Sequence, residues 1–133
     1  QSGVGASLTL HHAVKVRSVP ADQFLKEDVG DSFVVTAFAA EGTPGDCAIL
    51  ALEKLVGSVD LVVSGINRGS NLGWDVMVSG TIGGAVQGFV RGCATIAISV
   101  ASLEWALLIV FGAKDRKRIS SRPSSCAHRI WNM

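Results

Sequence analysis

Asn67, Asn71, Ser79 and Thr81 lie close together in the chain and are residue types that hold phosphate. The two amides each offer an oxygen acceptor and N–H donors, and the two hydroxyls can donate or accept. Ser79-Gly80-Thr81 is followed by Ile82 to Val90, which has helical character despite Gly83, Gly84 and Gly88. A helix opening at that turn leaves backbone N–H groups unpaired at its start, and these attract an anion. The chemistry indicated is phosphate binding. Two plainer readings stand beside it: Ser79 as an N-cap alone, and the glycines as space for close helix–sheet packing. There is no Walker A lysine motif and no GxGxxG, which argues against P-loop and dinucleotide sites.

Other reactive residue types carry less. His11 and His12 fall on an expected strand and would face opposite sides, so they do not read as a catalytic pair. Cys47, Cys93 and Cys126 are an odd, widely spaced set without CxxC spacing, which argues against zinc. Cys47 and Cys93 sit in apolar surroundings and read as buried thiols of a reducing compartment. No signal peptide is recognised at Gln1-Ser2-Gly3, and the apolar run Trp105 to Phe111 is too short to span a bilayer. A cytoplasmic protein is expected.

The elements that must position the site follow from the pattern. Leu8 to Leu10 and Ala13 to Val16 read as extended, and Ser32 to Phe38 as a strand. Thr43 suits an N-cap, Pro44 the first helical position and Asp46 the positive helix end. Cys47, Leu50, Ala51, Lys54 and Leu55 then recur at helical spacing, with Gly57 as the stop. Val59 to Ser64 reads as a strand buried on both faces, ending in a loop from Gly65 to Gly73. Ala94 to Val100 reads as another buried strand. This order implies an α/β domain with a largely parallel sheet, whose ligands bind beyond the carboxyl ends of the strands.

The net charge of +1 joins two unlike segments. Up to Phe111 there are 6 basic and 10 acidic residues; from Gly112 there are 6 basic and 1 acidic. A basic tail can bind nucleic acid or membrane surfaces, but residues 105–133 read instead as an atypical tail, poorly ordered or out of frame.

The motifs together resemble the SurE family. Val63-Ser64-Gly65-Ile66-Asn67-Arg68-Gly69-Ser70-Asn71-Leu72-Gly73 is similar to its signature, and Ser79-Gly80-Thr81-Ile82-Gly83-Gly84-Ala85 follows at the family's spacing. Gly42-Thr43-Pro44-Gly45-Asp46-Cys47 resembles the family's helix start. Gln1-Ser2-Gly3 with Ser7-Leu8-Thr9 resembles the segment after its second strand. The resemblance runs from Gln1 to about Leu103, giving a partial catalytic domain over 1–104 and the tail over 105–133.

The resemblance implies a Rossmann-like α/β fold, a SurE-type three-layer sheet with helices on both faces, here missing the first strand-helix-strand portion. It implies a 5'/3'-nucleotidase, a metal-dependent phosphomonoesterase acting on nucleoside monophosphates and, in some members, short polyphosphate. It also implies a homo-oligomer when full length, with no membrane and no specific nucleic acid as partner. One divalent metal, Mg²⁺ or Mn²⁺, is held in the family by two adjacent carboxylates, a serine and an asparagine. Ser2 and Asn67 match the last two, and Asn71, Ser79, Gly80 and Thr81 match positions around the phosphate. The family's Asn-Asp-Asp-Gly motif, which supplies both carboxylates, has no counterpart here, and Asp22, Asp31 and Asp75 do not occupy its place. Weak or absent hydrolysis by this chain is therefore expected. A non-catalytic phosphate- or nucleotide-binding module and a non-functional fragment are the alternatives.

Overall fold

A computed structural model of the chain describes residues 5–20, 36–102 and 105–111. Strands β1 (Val16–Val19) and β2 (Ala37–Ala40) form an antiparallel ribbon in which Val16 lies opposite Ala40 and Val19 opposite Ala37. Glu41 N donates to Lys15 O at 2.9 Å and extends the pairing. His11 and His12, expected on a strand, sit instead in an exposed bend ahead of β1. Of the strand expected over residues 32–38, residues 32–35 lie outside the described residues, and the paired part starts at Ala37 and runs to Ala40.

Helix α1 (Pro44–Leu50) starts as its sequence requires. Asp46 N donates to Thr43 Oγ1 at 3.1 Å, and Thr43 N donates to Asp46 Oδ2 at 2.9 Å. This reciprocal cap satisfies two N–H groups that the helix cannot satisfy itself. The helix widens to a π-type stretch over Ala51–Leu55, closed by Val56 N donating to Ala51 O at 2.8 Å. Gly57, at φ +69, ends it.

The buried face of α1 is not the expected stripe. Gly45, Asp46 and Ala48 are buried; Cys47, Leu50 and Ala51 are half-buried; Lys54 and Leu55 are exposed. Small residues make the close contact, so apolar size was a poor guide to the inner face. Widening after Leu50 also takes the chain off the 3.6-residue period on which the stripe rests.

Strand β3 (Leu61–Arg68) runs parallel to β4 (Ala94–Ser102), with α2 (Asp75–Val78) and α3 (Gly80–Val90) between them. β3 is longer than expected, because Gly65 to Arg68 belong to the strand rather than to the following loop. Its register shifts between Ser64 and Asn67 and then resumes, with Asn67 opposite Ser99 and Arg68 opposite Val100. Gly65 sits in the shift at φ +118, and a Cβ there would run into Ile98 O, so only glycine fits.

β4 turns back into β5 (Trp105–Phe111), antiparallel, with Ser102 opposite Trp105 and Thr95 opposite Phe111. A two-residue link permits only an antiparallel partner, since a parallel return needs a crossover of about a dozen residues. Among the described residues the sheet β3-β4-β5 thus has one parallel and one antiparallel pairing, not the largely parallel arrangement expected. The boundary drawn at residue 104 falls between two paired strands; residues 112–133 lie outside the described residues.

The core forms where α3 lies on the sheet. Ile82, Ala85 and Ala97 are buried together, with Val76, Val86 and Ile109 packed around them. Contact is close: a Cβ on Gly88 would stand 2.7 Å from Thr95 Cγ2 and 3.0 Å from Val62 Cβ.

Candidate phosphate site at the strand ends

The direction of α3 settles where its N-terminus lies. Gly88, near its end, packs on Val62 and Thr95 near the starts of β3 and β4. Ile82, in its first turn, packs with Ala97 farther along β4. The helix therefore runs against both strands, and its N-terminus lies at their carboxyl edge, where such folds bind ligands.

Ser79 caps that N-terminus: its backbone is extended and its hydroxyl accepts from Ile82 N at 3.4 Å. Ser79 and Thr81 are both buried. Gly80 has no room for a side chain, because a Cβ would sit 2.8 Å from Gly5 O and 3.1 Å from Pro44 Cγ. The Gly5–Ala6 segment and the start of α1 thus both meet α3 at its first turn. The positive end of α3 lies there, an environment suited to an anion, whereas that of α1 is already taken by the Asp46 carboxylate.

Asp46 holds this arrangement together. Besides capping α1 it accepts from Thr9 N at 2.9 Å and from Thr9 Oγ1 at 2.6 Å. Burial pushes its carboxyl up, but the hydrogen bonds from Thr9 and Thr43 outweigh that and hold it below the ordinary carboxylate range. Asp46 is therefore a charged structural clamp, not a proton donor at neutral pH.

At the end of β3, Asn67 is half-buried and its Nδ2 donates to Gly69 O at 3.1 Å. That fixes the amide and leaves Oδ1 without a donor among the described residues. Asn71 is buried and its Nδ2 donates to Ser99 Oγ at 2.6 Å. Asn67 and Ser99 are also register partners, so Asn67, Asn71 and Ser99 meet at one edge. Arg68 is exposed at the same strand end. Of the site residues expected from sequence, Asn67, Asn71, Ser79, Gly80 and Thr81 occupy this carboxyl edge; Ser2 lies outside the described residues.

Sequence reasoning missed Ser99 and Ser64. Each is a hydroxyl within an aliphatic strand, 2% exposed. Ser64 Oγ has no partner among the described residues. A polar residue in an otherwise apolar buried strand was the available signal.

The donor set does not fit a divalent ion by itself. Hard cations take several oxygen ligands, with carboxylates among them. Among the described residues, no three His, Cys, Asp or Glu side chains gather into a possible metal site, and Asp75 is exposed on α2. Cys47 is also unsuited to nucleophilic chemistry: burial, then the neighbouring Asp46 charge, pushes its thiol up, and a thiol is a poor nucleophile beside a thiolate. Among the described residues, no helix is long and apolar enough to cross a membrane.

A parallel β–α–β unit with a buried, capped helix start at its strand ends defines a Rossmann-like α/β protein. The chain belongs to the SurE family, whose model, "Survival protein SurE", matches residues 1–129 and so continues past Leu103. It is 44% identical over 105 residues to a 5'-nucleotidase SurE of Dehalococcoides mccartyi, covering 75% of this chain and 35% of that protein. It is 44% identical over 103 residues to the 5'-nucleotidase SurE of Crocosphaera subtropica, covering 77% and 34% respectively. The crystal structure of a SurE protein from Aquifex aeolicus superposes with a TM-score of 0.61 at 36% identity, over 76% of this chain and 36% of that one. The chain thus spans about a third of the length of the curated relatives it matches.

Proposed function

We propose that this chain forms the phosphate-holding half of a nucleoside monophosphate phosphohydrolase, a 5'/3'-nucleotidase. The observation that supports this reading is the buried Ser79 cap opening α3 at the carboxyl edge of β3 and β4. The N–H groups after Ser79, with the hydroxyls of Ser79 and Thr81 and the amide of Asn71, take the phosphate. Donors already aimed at the oxygens stabilise charge that develops there during hydrolysis, because they need little reorganisation.

Asn67 Oδ1 and the Ser2 hydroxyl would be two of the oxygens around a divalent ion, Mg²⁺ or Mn²⁺, and do not make a site by themselves. Such an ion would supply charge neutralisation at the phosphate and an activated water. Two neutral oxygens hold it weakly, since affinity rises with ligand charge. A second reading is a phosphate- or nucleotide-binding module without turnover, since the two oxygens named are both neutral.

Calorimetric titration with AMP tests the first half of the proposal. Saturable binding that Ser79→Ala weakens supports the phosphate site; no binding by folded protein removes it. Any metal-dependent release of phosphate from AMP with Mg²⁺ or Mn²⁺, however slow, removes the second reading.

A further inference from the structure

Asn71 lies in the irregular segment between β3 and α2, where little secondary structure fixes a side chain. It is nevertheless 8% exposed, and its amide is tied at 2.6 Å to Ser99, a 2% exposed hydroxyl on β4. Ser99 belongs to a nine-residue strand paired on both sides, to β3 and to β5. The hydrogen bond therefore fastens a loop side chain to the most constrained strand among those described.

We propose that Ser99 is a positioning residue: through its hydroxyl it sets the Asn71 carboxamide at the phosphate site. This rests on the phosphate reading given above. One Asn71 N–H is committed to Ser99 Oγ, which leaves the second N–H and Oδ1 for a ligand. Without the hydroxyl, the amide loses its anchor and must be ordered when ligand binds, and that ordering costs affinity. Thr95 and Ala97 lie on the same face of β4 as Ser99, nearer its start. Thr95 Oγ1 is already occupied by Cys93 O at 3.4 Å, and Ala97 has no polar atom to offer. Ser99 is therefore the residue on that face of β4 that meets Asn71.

A double-mutant cycle on the 133-residue chain tests this, with AMP and inorganic phosphate as probes. Ser99→Ala removes one oxygen from a buried strand position, and circular dichroism and melting verify its fold. Ser99→Ala and Asn71→Ala are each expected to weaken AMP and phosphate binding about 3- to 10-fold, as for loss of one hydrogen bond. The double variant should lose no more than Asn71→Ala alone, because Ser99 acts through Asn71. Ser99→Thr keeps the hydroxyl and should retain affinity. The Asn71 side-chain amide resonance should move in Ser99→Ala before any ligand is added, a signature a general loss of packing does not give.

Losses that multiply in the double variant, or an unchanged affinity in folded Ser99→Ala while Asn71→Ala is impaired, overturn the positioning role and leave the phosphate site standing. Absence of binding by the unmutated chain overturns both.

Discussion

Thr9 gives both its backbone N–H and its hydroxyl to the Asp46 carboxylate, at 2.9 and 2.6 Å. The same carboxylate closes the cap of α1 through Thr43. One buried charge thus joins two segments 37 residues apart in sequence. It does so beside the place where Gly5 and Pro44 meet Gly80 at the start of α3.

Asp46→Asn should destabilise the chain by about 1–3 kcal/mol at neutral pH, the scale of a lost cap and of charged hydrogen bonds left imperfectly made. The pH dependence has a definite sign. The folded-state pKa of Asp46 is depressed, so its contribution is present above the unfolded value, about 3.9, and is lost as pH falls through the folded value. Melting curves should therefore show a gap between unmutated chain and variant that is full above about pH 5 and closes in strong acid. A gap that widens on acidification would contradict the clamp.

Gly88→Val should destabilise the fold even though a side chain would improve local helix propensity. The Cβ alone would stand 2.7 Å from Thr95 Cγ2 and 3.0 Å from Val62 Cβ. Overpacking of this kind costs about 1–3 kcal/mol or more, against a propensity gain below about 1 kcal/mol. A lower melting temperature is expected; an unchanged one would mean that α3 does not pack on the sheet as described.

Ser79→Ala removes the cap of α3 and should cost about 1 kcal/mol of stability. Phosphate affinity should also fall, because a hydroxyl and the ordering of the first turn are lost together. Paired melting and phosphate titration check both effects. Loss of stability with full affinity would leave Ser79 as a cap alone.

Hydrolysis of AMP by the 133-residue chain should be weak or absent with either Mg²⁺ or Mn²⁺, since Asn67 and Ser2 offer only neutral oxygens. Phosphate release at a robust, metal-dependent rate would contradict that assignment of ligands.

Local signals were legible in sequence, and signals that depend on a distant partner were not. Thr43, Pro44 and Asp46 announce the start of α1 because a cap is a contact over three residues. Ser79 announces α3 for the same reason. The continuation of β3 through Gly65 to Arg68 could not be read, because a register shift is defined only by the facing strand. The inner face of α1 was misplaced because its contacts are made by Gly45 and Ala48, which a search for large apolar residues passes over. β5 lay in an apolar run of strand length beside a basic tail, and composition drew attention to the tail. Asn67 and Asn71 were visible as chemistry, whereas Ser99, 28 residues from Asn71, acquires its meaning only from the fold.

An amide-resolved NMR titration of the 133-residue chain with AMP locates the phosphate directly. A phosphate site at the start of α3 should give saturable shifts centred on the backbone amides of Gly80, Thr81 and Ile82 and on the side-chain amide of Asn71. Saturable shifts elsewhere, or none from a chain shown to be folded, would contradict a phosphate site at the start of α3.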